Sequence, residues 1–432
     1  MTESAALRTD ENQQSTTQTS HVAALATPPL RANRALRGIY AGTFTAFLGL
    51  AMADVVFPLL VLGFTGKPLL AGLFGTIQFT ALILVAIPAG GFLDRHDRRR
   101  VFIASESARA LVATVLAVTL AAGHVWLVEI YLIAFVLGAC QPLSGVRTLA
   151  LRTIAGPSQL TKALSVQQVV SGVAQLVGPA IGTVLYAVNR SLPFVAIAVG
   201  VGISAICAFA VHFDSKPEPA APTTDDAGAE PEGSFAGFRL IWNHPVMRGT
   251  MLFLMLVNLI GASLDLVLIV QARHEGVPTH FIGPILAAFA GGGILGAPFI
   301  PRLHALLRPG QLLIALGLTI ALGCLMIAVL PLGGLWMAGW LAAIGFAVPA
   351  IQVLVDVLII RQVPDHQRGR ALSAVMTLNG LGLPLGAAFG GSLLQAASAE
   401  TLLLGAAAAM ASIAALAASQ RALRVARWPS AS

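Results

Sequence analysis

The chain has 432 residues, of which 56% are apolar and only 10% charged, with a formal net charge of +7. Soluble domains carry about 25% charged residues, so too few polar side chains are present to cover a globule of this size. A soluble multidomain enzyme, a disordered chain and a collagen are thereby excluded, and long apolar runs with few charges point to a polytopic membrane protein.

In chain order, residues 1–36 form a hydrophilic N-terminal tail, expected to be disordered and to contain no cleavable signal peptide. Apolar runs follow at 38–64, 69–93, 101–122, 125–146, 164–187 and 192–213. The stretch 214–244 is the expected cytoplasmic linker, and its first part, DSKPEPAAPTTDDAGAEPEGSFA, is rich in Pro, Ala and acids and has the composition of a flexible segment. Runs resume at 247–271, 281–301, 310–331, 334–358, 371–395 and 400–419, and a short tail, 421–432, closes the chain. The reading is an all-α membrane protein of twelve transmembrane helices, because at this length only helices satisfy the backbone in lipid and no short alternating strands occur. The units are a first six-helix bundle at 37–213 and a second at 245–420.

Lys and Arg counts orient the chain. With the N-terminus in the cytoplasm, 22 of the 26 basic residues fall in the tails and cytoplasmic loops, and only Lys67, Arg190 and Arg273 lie in outer loops. The asymmetry places both termini in the cytoplasm of a cell that carries the protein in its inner or plasma membrane. The positive charge is spread between apolar runs rather than gathered in one patch, which argues against nucleic acid as a partner. Cys140, Cys207 and Cys324 all fall in apolar runs and read as small buried residues.

An internal repeat supports the division. Asp54 in AMADVVFPLLV pairs with Asp265 in GASLDLVLIVQ at an offset of 211, the same offset pairs Gly72 with Gly283, and Lys162-Ala-Leu-Ser pairs with Arg370-Ala-Leu-Ser at 208. Transporters built from parallel repeats place their substrate site between the halves.

The first hairpin between spans two and three reads Gly90-Gly-Phe-Leu-Asp94-Arg95-His-Asp-Arg98-Arg99-Arg100. A glycine, then Asp-Arg, then a basic cluster resembles the signature loop of the major facilitator superfamily, with Asp97 where the usual glycine stands. The resemblance implies that fold, two pseudo-symmetric six-helix bundles, and a cytoplasmic gate made by Gly90, Asp94, Arg95, Arg98, Arg99 and Arg100. In the second half Ala305 takes the place of Asp94, so an asymmetric gate is expected. Span five carries Gly172, Gly178-Pro179 and Gly182, which resembles the superfamily's antiporter motif with Thr183 in place of its last glycine. A buried proline kinks a helix and glycines allow close packing beside it. The overall match is to the branch of enterobactin exporters and macrolide or other antibiotic efflux proteins.

Span four, ended at 146, lacks the buried arginine that many proton-coupled drug exporters of the superfamily carry there. Asp54, Asp265 and Asp356 lie inside apolar runs, where a charged carboxylate costs about 2.5–3.5 kcal/mol at the centre of a span. They are the candidate proton and substrate residues. Asp356 has Arg361 close enough in sequence to pair with it. Glu106 and Arg109, three apart on one helical face, read as a structural ion pair. No Lys or Arg falls near mid-membrane on these boundaries, which favours neutral or cationic amphipathic substrates. Gly291-Gly-Gly-Ile-Leu-Gly296 fits a dinucleotide pattern but sits inside a span, so it reads as helix packing. No metal site and no cofactor are expected.

These features predict a secondary transporter rather than an enzyme. It would work as a monomer in the lipid bilayer, with a small organic molecule and protons as its partners. Export of an antibiotic, siderophore or other secondary metabolite is the first expectation, and import of a small metabolite on the same fold is the rival.

Overall fold

The computed structural model describes residues 33–211, 239, 242–243, 245–362 and 368–420. The expectations for the two tails and the acidic linker fall almost entirely outside the described residues. The first group of helices is α1 (Arg34–Thr65), α2 (Pro68–Arg95), α3 (Arg98–Ala121), α4 (Leu127–Cys140), α5 (Val146–Val188) and α6 (Leu192–Ala210). The second is α7 (Pro245–His274), α8 (Thr279–Gly296), α9 (Pro309–Val329), α10 (Gly334–Gln362), α11 (Arg368–Ala396) and α12 (Ala399–Ser419). Among the described residues there is no strand, and eleven segments are long and apolar enough to cross a membrane. The expected span at 371–395 lies within α11, which is not one of those eleven.

Local chemistry explains the helix ends. Asn33 caps α1 by accepting hydrogen bonds from the backbone N–H groups of Ala35 at 3.0 Å and Leu36 at 3.4 Å. Gly66 closes α1 in the left-handed region, at φ +64°. Asp97 caps α3, accepting from Arg99 N at 2.9 Å and Arg100 N at 3.2 Å. The aspartate that departs from the superfamily's signature loop therefore has a local task, the start of α3.

α4 and α5 correct one sequence boundary. The fourth span runs Leu127–Ala155 and the fifth Gln159–Val188. Gln167 Nε2 donates to Thr148 Oγ1 at 3.3 Å, whereas 19 residues of straight helix would separate them by about 28 Å. The chain therefore turns back on itself within the range of α5, between the end of the fourth span at Ala155 and the start of the fifth at Gln159. Val146, Ala150, Leu151 and Ala155 are all buried, so the helical stripe of span four continues well past residue 146.

The repeat is visible in the helix starts. α1 and α7, α2 and α8, and α3 and α9 each begin 211 residues apart, while α4 and α10, and α6 and α12, begin 207 apart. Packing repeats too: α1 lies on α5, α2 on α4 and α3 on α6, as α7 lies on α11, α8 on α10 and α9 on α12. The halves meet along two symmetry-related seams, α5 with α8 and α2 with α11.

We call the end of the bundle that carries Val211 and Pro245 the linker face. Both seams are tight at the opposite face and widen toward the linker face. A methyl added at Gly72 would stand 2.7 Å from Ala387 O, at Gly75 3.1 Å from Ala387 Cβ, and at Gly380 3.6 Å from Ile83 Cγ1. On the other seam, one at Gly283 would overlap the carbonyl of Pro179, one at Gly291 would stand 3.5 Å from Leu176 Cδ1, and one at Gly172 would meet nothing within 4 Å. The two halves thus enclose a cleft that is shut at one face and open at the linker face.

Candidate functional site

Asp54 and Asp265 line this cleft from opposite halves. Each lies twenty residues after the first residue of its helix, α1 or α7. Both lie well inside the length of their helices, and both keep exposed surface. Gln78 on α2, itself buried, donates from Nε2 to Asp54 Oδ1 at 3.2 Å. Among the described residues no comparable hydrogen bond to the Asp265 side chain is seen, and the residue lines a cavity of about 360 Å³ with apolar walls that include Leu268, Leu286 and Phe289.

A second cluster lies inside the first half. Glu106 on α3 is fully buried and pairs with two guanidinium groups. Arg147 Nη2 reaches Glu106 Oε2 at 2.6 Å, and Arg109 Nη1 reaches Glu106 Oε1 at 3.2 Å. Ser204 on α6 donates to Glu106 Oε2 at 2.5 Å and accepts from Arg147 Nη2 at 2.7 Å. Ser144 donates to Glu106 Oε1 at 3.2 Å and accepts from Arg109 Nη1 at the same distance. Arg147 also lies over the ring of Phe102, 5.4 Å from its centroid.

This cluster overturns two expectations. Span four does carry a buried arginine, Arg147, and a cation does lie inside the membrane-spanning part of the molecule. Ending the span at residue 146 put Arg147 in a loop, because an arginine there looks costly in lipid. In the fold its charge is met by Glu106 and Ser204 instead. The signal that would have found it is the apolar stripe at 146, 150, 151, 154 and 155, which keeps helical spacing past the arginine. Glu106 and Arg109 are in contact at 3.2 Å, and Arg147 makes the pair a triad.

The cluster walls a cavity of about 240 Å³, which is also lined by Ala46, Phe47 and Leu50 of α1. The repeat relates it to the Asp265 cavity. Ala46, Phe47, Leu50 and Arg109 fall at the offset of 211 on Val257, Asn258, Gly261 and Ile320, which line the larger cavity. The two halves therefore carry equivalent hollows, one walled by ionised groups and one mainly by apolar side chains with Asp265 at its rim.

The motifs find different places. Arg99 of the signature loop donates to the carbonyls of Val211 at 3.1 Å and Phe209 at 2.8 Å, so it binds the C-terminal end of α6. Arg100 is exposed beside Asp97, 3.6 Å away. Arg95 lies in the last turn of α2 and is exposed, and Arg98 opens α3. Gly90 and Asp94 belong to α2, and their side-chain surroundings fall outside the described residues, as do those of Asp356 in α10. In span five, Gly178 and Gly182 pack on Ala51, Met52 and Val56 of α1, next to Asp54, while Gly172 is free of such contact. Thr183 Oγ1 accepts from the backbone N–H of Gly283 at 3.2 Å. The stretch 178–183 therefore joins α1 to the second half at the closed face. Gly292 and Gly296 of the dinucleotide-like run pack on the backbone of Ala342 and Phe346 in α10, and among the described residues no cluster of metal ligands occurs.

The sequence pattern of the Major Facilitator Superfamily matches residues 39–387. Among curated relatives, the multidrug efflux pump Tap of Mycobacterium tuberculosis is 27% identical over 374 residues, covering 84% of this chain and 87% of the relative. The enterobactin exporter EntS of Citrobacter koseri is 24% identical over 378 residues, covering 84% and 86%. Among solved structures, the nucleoside transporter NupG superposes with a TM-score of 0.71 at 12% identity, covering 89% of this chain and 98% of its own. A bacterial homologue of the iron transporter ferroportin, in an inward-facing state, gives 0.65 at 16% identity, covering 90% and 99%. These structural likenesses establish the fold.

Proposed function

The chain belongs to the major facilitator superfamily, and from that premise we propose that it is a proton-coupled exporter of a small organic molecule, not an enzyme. The observation that carries this reading is the cleft with Asp54 and Asp265 facing it from opposite halves, closed at one face and open at the other. The names of the relatives, an efflux pump and an exporter, support the direction. The count of basic residues supports placing the linker face in the cytoplasm, so the described state is the one that loads cargo from inside. The protein acts as a multi-pass protein of the cell membrane with both termini inside.

In this mechanism the two halves rock about the cleft. A carboxyl deep in a cleft exchanges protons with whichever face the cleft opens toward. Asp54, held by Gln78, takes a proton from the outside when the opposite face is open and releases it inside after closure. Each proton entering with its charge supplies about 2.3 kcal/mol per 100 mV of membrane potential. Asp265, across the interface, makes the second carboxyl of the pair. The signature-loop residues Asp94, Arg98 and Arg99, together with Arg95 and Arg100, act at the linker face, where contacts must break and re-form between states. Asp356, in the part of α10 toward that face, is the third candidate acid.

The test is accumulation of a panel of antibiotics and siderophores in an efflux-deficient host, with and without a proton uncoupler, followed by flux in inverted vesicles. The expected result is uncoupler-sensitive extrusion that is lost in Asp54→Asn while the protein stays folded. Extrusion by Asp54→Asn with unchanged pH dependence would remove Asp54 from the coupling step. Uphill movement in the reverse direction would favour the importer.

A further inference from the structure

The cavity of the first half is built to receive an anionic group. Its walls include two guanidinium groups, Arg109 and Arg147, and the one carboxylate paired with them, Glu106, lies buried behind the wall, which leaves one positive charge in excess. Both arginine side chains are 4% exposed, yet the Nε atom of each has no hydrogen-bond partner. Buried N–H groups on charged side chains are expensive to leave unpaired. Gln141 and Gln167, which also line the cavity, each hold a buried amide oxygen without a hydrogen-bond partner.

Size and position limit what can enter. At about 240 Å³ the cavity is smaller than the 300–1,000 Å³ usual for whole small-molecule ligands, so it suits a head group. Phe47 and Leu50 on its α1 wall stand on one helical stripe with Asp54, which leads from the cavity into the cleft. The related cavity of the second half is larger, about 360 Å³, and mainly apolar.

Resting on the exporter reading above, we propose that the cargo is an amphipathic molecule whose anionic group, a carboxylate or one of like size, enters the first-half cavity beside Arg109 and Arg147. Its apolar body lies against the second half. The proposal replaces the neutral or cationic cargo that the sequence alone favours.

The test uses the full chain in phosphatidylcholine nanodiscs, with a dansylated alkanoic acid and its methyl ester as probes. The acid is expected to bind at least about tenfold more tightly, equivalent to about 1.4 kcal/mol. Arg147→Gln should erase that preference and leave ester binding intact. Because that variant strands Glu106 and can fail to fold, Glu106→Gln is the second variant. It takes away the competing carboxylate, so a folded Glu106→Gln should bind the acid several-fold more tightly with the ester unchanged. Equal binding of acid and ester by the native chain would overturn the proposal, as would a folded Glu106→Gln with unaltered acid affinity. Acetate separates a free ion from cargo: thermal stabilisation by acetate equal to that by the acid probe would overturn the cargo assignment, and stabilisation by the probe alone supports it. Flux in inverted vesicles keeps the two readings apart. Acid bound but never moved supports the anion site and counts against export, whereas acid and ester moved and bound alike overturns the anion site and leaves export standing.

Discussion

Glu106 in the first half and Gly317 in the second stand 211 residues apart, on α3 and on its repeat partner α9, and they show how one architecture is held together in two ways. Around Glu106, α3, α6 and the start of α5 are pinned by directional bonds among Arg109, Arg147, Ser144 and Ser204. Around Gly317 the pinning is contact: a methyl added there would stand 3.1 Å from Ala414 Cβ and 3.3 Å from Phe253 Cζ. The repeat places Ile320 opposite Arg109, and Leu354, which is fully buried, opposite Arg147. An apolar core thus suffices to hold six helices in this arrangement, and the charges of the first half are an addition to it. Buried ion pairs contribute little net stability against apolar replacements, so their presence on one side only points to a task other than folding.

The largest effect should come from unbalancing that cluster. Glu106→Leu leaves two guanidinium groups buried without a carboxylate, and breaking a buried pair in this way costs about 3–5 kcal/mol. The expected outcome is loss of monodisperse protein on extraction and a large fall in thermal midpoint. Replacing the triad together, Glu106→Leu with Arg109→Ile and Arg147→Leu, should restore most of that stability while removing any preference for an acid probe. If the triple variant is as unstable as the single one, the first half cannot be filled the way the second is.

Next come the seams between the halves. Gly283→Leu forces a side chain against Pro179 and Thr183 at the closed face, where even a methyl overlaps the backbone. Overpacking of this kind costs about 1–3 kcal/mol, which falls on the closed-face contact and leaves each half intact. The variant should fold, lose flux, and become open to cysteine reagents at the opposite face. At the other end of α8, Gly291 has only Leu176 Cδ1 near, at 3.5 Å, and Gly291→Ala should leave flux within a factor of about two if stability shifts by less than about 0.5 kcal/mol. Equal loss in both would mean that the seam does not widen toward the linker face in the membrane.

Much of this fold is legible in the sequence, and the parts that are not share one cause. Apolar runs, basic loops and the offset of 211 place most of the helices to within a few residues because burial in lipid leaves a periodic, charge-poor record. Asp54 and Asp265 stand out for the same reason, as acids in apolar text. That both face one cleft from opposite halves is not written anywhere in the chain, since it depends on how two halves face each other. A hydropathy reading misplaces Arg147 because it scores each charge alone, whereas in the fold its charge is neutralised by a glutamate 41 positions earlier and bonded by a serine 57 positions later. Pairing across such distances is a property of packing, and only the continued stripe from 146 to 155 hints at it. Asp97 shows the converse. It looked like a departure from a motif, and local geometry gives it the ordinary work of a helix cap.

The smallest effect separates two neighbouring arginines of the signature loop. A basic cluster that served only to set orientation would tolerate loss of either charge alike. In the fold they differ: Arg99 donates to the carbonyls of Phe209 and Val211, groups that the end of α6 leaves without helical partners, whereas the side chain of Arg100 is 89% exposed. Arg99→Ala should therefore cost about 1–2 kcal/mol, the worth of a pair of such bonds, seen as a fall in thermal midpoint and faster hydrogen exchange at residues 207–211. Arg100→Ala should leave both readings unchanged. The second half offers the control, since its equivalent hairpin carries Arg302 over the ring of Phe299, 5.6 Å from the centroid, and Arg302→Ala should leave exchange at 207–211 as it is in the native chain. Equal effects of Arg99→Ala and Arg100→Ala would return the loop to a purely topological role.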